Sequence, residues 1–149
     1  MPLGEGPLWH LERQSLFWFD ILKKQMFGEG RVRQFDEHVS AAGWVDHDTV
    51  LIASETELFT YNLETGGKVH VAPLEADNST TRSNDGRADP FGGFWIGSMG
   101  KQAEKGAGAI HRYYRGTVET LFEGITVANA ICFSPDGKFA HYTDTPHSR

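Results

Sequence analysis

Asn84 and Asn129 lie 45 residues apart in this chain, and so do Met99 and Asp144. Two independent landmarks that share one interval mark a repeat. An interval of roughly 40–50 residues holds about four short strands with their turns, the content of one β-propeller blade. Short alternating or aromatic runs at 15–21, 50–54, 58–62, 94–98, 109–114, 130–134 and 139–143 predict strands. Turn signals at 64–67, 85–86, 89–90, 92–93 and 134–137 separate them. Helix signals are scarce, so the chain reads as all-β. A β-sandwich also shows short strands with regular turns, but the matching offsets favour the propeller. Asp20 to Ser54 spans 34 residues, so the repeat shortens toward the amino end.

Closed propellers hold four to eight blades. The 149 residues therefore predict one partial β-propeller domain over 1–149, about three to three and a half blades, and the chain is expected to be incomplete.

The net charge of -6, with basic residues scattered singly, argues against nucleic acid or anionic membrane as a partner. No apolar run reaches the length that spans a bilayer, and the residues after Met1 do not resemble a secretory signal. The expected compartment is the cytoplasm. The one cysteine, Cys132, lies in an apolar run and is expected to be a buried, inert thiol. Asn78-Ser79-Thr80 is read as a loop.

In a propeller the innermost strands line the axis, so residues in the same blade position meet at one mouth. Glu5, Asn84 and Asn129 hold such positions, each preceding or opening an apolar segment. One carboxylate and two amide carbonyls form an all-oxygen set suited to a hard divalent cation such as Ca²⁺, Mg²⁺ or Mn²⁺. Taken singly, Glu5 between glycines reads as a solvated turn carboxylate and Asn84-Asp85-Gly86 as a β-turn; the shared phase shifts both toward a site. Arg82, Arg87 and Glu104 are candidates for holding a polar substrate. The glycine-containing connection 99–108 is long enough to arch over the mouth as a lid. The seven histidines show no metal-ligand spacing, Ser98 lacks a nucleophile elbow, and Gly106-Ala107-Gly108 lacks a phosphate-binding fingerprint.

The segments LGEGPLW, SLFWFDI, LIASETEL, RSNDGRADPFGGFWIGSMG, GAGAIHRYYRG and NAICFSPDGKFAHYTDT run in order along the chain. Together they resemble the gluconolactonase and regucalcin (senescence marker protein) family. The resemblance implies a six-bladed propeller that binds one divalent metal, Ca²⁺, Zn²⁺, Mn²⁺ or Mg²⁺, and opens sugar lactones. It implies Glu5 and Asn129 as metal ligands and Arg82, Asn84 and Glu104 as substrate contacts, which moves Asn84 away from direct ligation. Asp144 corresponds to a structural blade aspartate. The catalytic residue stays unknown, because the family's third ligand, an aspartate of a later blade suited to act as base, has no counterpart here. In the family mechanism the metal polarises the lactone carbonyl and acidifies a water that opens the ring.

Three readings follow: the amino-terminal half of a metal-dependent lactonase, inactive alone; a related aryl-ester or organophosphate hydrolase; or a non-enzymatic half-propeller that pairs with a second copy or a missing half. Unpaired strand groups at an open propeller edge would favour self-association.

Overall fold

The computed structural model describes residues 4–147 as fourteen strands and a closing 3₁₀ turn. Strands β1 (Gly4–His10), β2 (Ser15–Asp20), β3 (Gln25–Gly28) and β4 (Arg31–Gln34) form the first antiparallel sheet, paired in chain order. The second holds β5 (Val39–Trp44), β6 (Thr49–Ser54), β7 (Glu57–Asn62) and β8 (Lys68–Pro73). The third holds β9 (Thr81–Ala88), β10 (Phe94–Gly100), β11 (Gly108–Tyr114) and β12 (Thr117–Ile125), and a two-stranded sheet pairs β13 (Ala128–Phe133) with β14 (Ala140–Asp144). Three four-stranded blades and a half-blade match the propeller reading. Among the described residues no helix is long and apolar enough to cross a membrane.

The first strand of each sheet packs on the first strand of the next, β1 on β5, β5 on β9 and β9 on β13. These inner strands are built from small residues because their backbones nearly touch. A Cβ at Gly6 would stand 2.2 Å from the Ser40 carbonyl oxygen, and Gly6 also has φ +56. In the neighbouring β10, a Cβ at Gly97 would stand 2.4 Å from that of Ala128 on inner strand β13. The Ser40 hydroxyl donates to Ser83 Oγ at 2.7 Å, fixing β5 against β9 at the same level.

Each inner strand also carries a register irregularity at this level: between Glu5 and Leu8, Val39 and Ala41, and Asn129 and Cys132, while β9 shifts opposite Ile96 and Ser98. Such bulges re-aim side chains. Gly4 pairs with Asp20 and Glu5 with Phe19, as Ala128 pairs with Asp144 and Asn129 with Thr143. Glu5 and Asn129 therefore share one blade position. Ser83 pairs with Ser98, so Asp144 corresponds to Ser98, one residue before the Met99 that the 45-residue offset suggests.

Two expectations change. Asp85-Gly86, read as a turn, lies inside β9, where the bulge accommodates it and Gly86 pairs with Ile96. Cys132 is exposed: Ile131 takes the buried position, and the bulge before Cys132 turns the thiol outward.

The core lies between blades. Phe17, Phe19, Ile21, Met26, Val39, Val50, Ile52 and Phe59 fill the first interface. Ala41, Leu51, Leu58, Leu74, Phe94 and Ile96 fill the second, and Ile110, Ile125 and Ala128 begin the third. Arg13 clamps the first two blades at the end opposite Glu5. Its guanidinium donates to Glu29 (2.8 Å), Asp48 (2.7 Å) and Glu64 (2.6 Å), three carboxylates from three separate turns. In blade one, Asp20 occupies the position of Asp144, but its buried Oδ2 has no hydrogen-bond partner among the described residues, and Lys23 Nζ is 3.9 Å away.

Glu75, in the connection into blade three, ties that blade together. Its carboxylate accepts from Ser98 Oγ (2.8 Å), pairs with His111 Nε2 (2.9 Å) and accepts from Thr81 Oγ1, while His111 Nδ1 meets Thr120 Oγ1. One carboxylate thus reaches three strands directly and the fourth through His111. Burial alone would raise its pKa, but these hydrogen bonds hold it below the ordinary glutamate value.

Two predictions follow from this packing. Gly6→Ala should lower unfolding free energy by roughly 2–4 kcal/mol in urea titrations, because it meets both a positive φ and a backbone oxygen. Gly30→Ala, at φ +69 with nothing nearby, should cost only about 1 kcal/mol; equal costs would contradict the close-approach argument. The folded state favours ionised Glu75, so its stabilisation is complete above 4.5, the ordinary glutamate value, and fades as pH falls below it. The stability gap between the native chain and Glu75→Gln should therefore hold steady above about pH 4.5 and narrow as pH falls toward about 3. A gap independent of pH would remove the ion from the argument.

Candidate functional site

At the mouth end of the inner strands, β1 supplies Glu5, β9 supplies Arg82, Asn84 and Asp85, and β13 supplies Asn129. Arg82 and Asn84 are buried, whereas Glu5, Asp85 and Asn129 are half-buried. A relay of hydrogen bonds fixes the amides. Arg82 Nη1 donates to Asn84 Oδ1 at 3.0 Å and to the Ser83 carbonyl at 2.9 Å. Asn84 Nδ2 donates to Asn129 Oδ1 at 3.1 Å and to the Ala128 carbonyl at 2.9 Å. Asn129 Nδ2 donates to Thr145 Oγ1 at 2.9 Å. These contacts set which end of the Asn129 amide is oxygen and leave that oxygen a second lone pair. Asn84 accepts from Arg82 and donates to Asn129, so it orients the Asn129 amide.

The charges here are held at a cost. Burial pushes the Glu5 carboxyl above its ordinary value, and the charge of Asp85 adds to the shift, while Arg82 opposes it. Burial likewise raises Asp85, against the backbone N–H donors of Ile131 and Gly86 and the charge of Arg87. Burial lowers Arg82, opposed by Glu5 and Glu55. Two carboxylates that repel in a half-buried mouth beside an oriented amide oxygen are the situation that a divalent cation relieves. The side-chain acceptors of Glu5, Asp85 and Asn129 are all oxygen, the donor chemistry that suits a hard cation. Among the described residues no group of three His, Cys, Asp or Glu side chains converges.

Asp85 is the residue that local sequence reasoning misses. Its Oδ2 accepts the Ile131 backbone N–H at 2.7 Å, joining β9 to β13 directly beside Asn129. Its turn-forming neighbours mask this role, since the contact is made with another strand. Glu104 stands apart from the cluster. It is exposed on the loop 101–107, where its Oε2 accepts the Gln102 backbone N–H at 3.0 Å, and no hydrogen bond among the described residues joins it to Arg82 or Asn84. Arg87 is exposed, further along β9.

Residues 3–149 match the SMP-30/Gluconolactonase/LRE-like region. A relative from Rhizobium meliloti (strain 1021), named "Putative sugar lactone lactonase", is 40% identical over 96% of this chain and 50% of its own length. The 6-deoxy-6-sulfogluconolactonase of Pseudomonas putida is 28% identical over 97% of this chain and 52% of its own length. Among solved structures, a calcium-binding protein, regucalcin, from Agrobacterium tumefaciens str. C58 superposes with a TM-score of 0.94 at 40% identity, covering 98% of this chain and 52% of that one. The chain spans about half the length of the curated relatives it matches. With the family match running over nearly its whole length, the chain belongs to the SMP-30/gluconolactonase/LRE-like family.

Proposed function

We propose that this chain carries the Glu5–Asn129 side of a divalent-metal-dependent hydrolase that opens sugar lactones. The observation that carries the reading is the fixed Asn129 carbonyl, oriented by Asn84 and in the same blade position as Glu5. Lactonase names among the relatives support the substrate class, and the calcium-binding relative supports the cation. Ca²⁺, Mn²⁺, Mg²⁺ and Zn²⁺ all suit such a site.

When held by Glu5 and Asn129, the cation supplies Lewis acidity that polarises a carbonyl and acidifies water. The chain's own residues do the rest. Glu5 brings the negative charge, and its raised pKa means that a proton competes for the same carboxylate. Asn84 keeps the Asn129 oxygen turned toward the mouth. Arg82 uses Nη1 within the relay, which leaves Nη2 to donate to the ring or hydroxyl oxygens of a lactone. Asp85 anchors β13 so that Asn129 keeps its distance from β9. Glu104, on its loop, would accept from a distal sugar hydroxyl. In the net reaction water adds to the carbonyl carbon, the ring C–O bond breaks, and a hydroxy acid leaves.

Further blades would complete such a site. The outer face of blade one is apolar, with Leu16, Trp18 and Val32 exposed and Trp18 stacked on Phe27 at 5.5 Å. That face supports packing against another blade, and in the chain alone it would drive self-association.

The reading is tested by following acid release from D-glucono-1,5-lactone against 4-nitrophenyl acetate, with Ca²⁺ or with chelator. The chain, joined if necessary to the remaining blades of a relative, should open the lactone in preference to the aryl ester and lose that activity with chelator. Arg82→Ala should lower kcat/KM by about 100-fold. Metal-independent turnover, or a preference for the aryl ester, would overturn the assignment.

A further inference from the structure

Glu55, in the β6–β7 turn of blade two, enters the site described above only through its charge on Arg82, yet three inter-strand connections meet on it. Its Oε2 pairs with His38 Nδ1 from the β4–β5 connection at 3.0 Å and with Lys101 Nζ from the β10–β11 loop at 2.9 Å. Its backbone N–H donates to the His38 carbonyl at 3.0 Å. Although the pair lies at the rim, the Glu55 side chain is only 15% exposed. Burial would raise its pKa, but His38 and Lys101 hold it below the ordinary value. Glu55 is also one of the two carboxylates whose charge acts on Arg82.

Lys101 opens the loop 101–107, which crosses the mouth end of blade three. At its start the Lys101 N–H donates to the Thr80 carbonyl at 2.9 Å, and near its end the Gly106 N–H donates to Thr126 Oγ1 at 3.0 Å. The loop is thus fastened behind to the connection into blade three and ahead to the connection into the half-blade. The Lys101 side chain reaches across to Glu55 of blade two.

We propose that Glu55 is a positioning residue: by gripping Lys101 it latches the loop that carries Glu104 to blade two and beside Arg82. The latch is a property of the fold, and its role as a strap over bound substrate rests on the lactonase reading. A single exposed ion pair contributes little, but this carboxylate is shared, mostly buried and pinned by backbone. Release of Lys101 would free the first half of the loop while the blades stay intact.

Limited tryptic digestion tests this without any need for turnover. Lys105 lies within the loop, and Lys138, 74% exposed in the β13–β14 turn, serves as the internal reference. Cleavage after Lys105 relative to Lys138 should rise about two- to five-fold in Glu55→Gln, and equally in Lys101→Gln, because proteolysis follows the open population. The double variant should rise no further than either single one, since both remove one interaction. Thermal unfolding midpoints should stay close to that of the native chain, and Lys101→Gln, at a solvent-facing side chain, keeps the test valid should Glu55→Gln fold poorly. Unchanged cleavage in Lys101→Gln, or additive increases in the double variant, would overturn the latch. Loss of lactone hydrolysis in the native chain would leave this result untouched and count only against the strap's role.

Discussion

The close approach of the inner strands is the constraint from which the remaining architecture follows. Gly6 lies so near the Ser40 carbonyl that no side chain fits between them, Ser40 and Ser83 share a hydroxyl hydrogen bond, and Asn84 and Asn129 join the next pair. Small residues at this level let the blades converge, and the bulges that accompany them turn Glu5, Asn84 and Asn129 to one mouth. The same packing sends the bulky side chains outward, where Phe17, Phe59, Phe94 and Ile96 fill the spaces between sheets. Core and site are two results of one geometry.

The mouth combines features that a purely structural cluster would avoid. Burial raises both Glu5 and Asp85, the charge of Asp85 adds to the shift at Glu5, and Arg82 is partly stripped of water. Two other clusters of the chain pair their charges closely: Arg13 meets three carboxylates, and Glu75 is bonded by side chains of three strands of one blade. Half-buried carboxylates with raised pKa values beside an oriented amide are a pattern that recurs at functional sites.

Much of this could be read from the sequence, and the exceptions have physical causes. The repeat, the all-β class and the strands with aromatic or alternating residues were legible, since β2, β6, β7, β10 and β11 carry their burial pattern in their residue types. The inner strands β1, β5 and β9 were not, because Gly, Ala, Ser, Asn and Asp are poor strand formers and the packing between blades overrides their local preference. The outer strands β4, β8 and β12 were hidden by polar residues on solvent-facing edges. Glu5, Asn84 and Asn129 emerged from their common phase. Asp85, Glu55 and Glu75 did not, because each acts on partners in other strands or blades, and no local pattern records such contacts. Cys132 illustrates the limit of alternation: one bulge reversed its face.

The central claim is that Glu5 and Asn129, brought into phase by the inner strands, hold a divalent cation. Calorimetric titration of Ca²⁺ and Mn²⁺ into the native chain and into Glu5→Gln tests it most directly. The account predicts binding to the native chain that weakens at least about ten-fold in the variant, a loss of about 1.4 kcal/mol, with no change in fold. Equal affinity in the two proteins would contradict it.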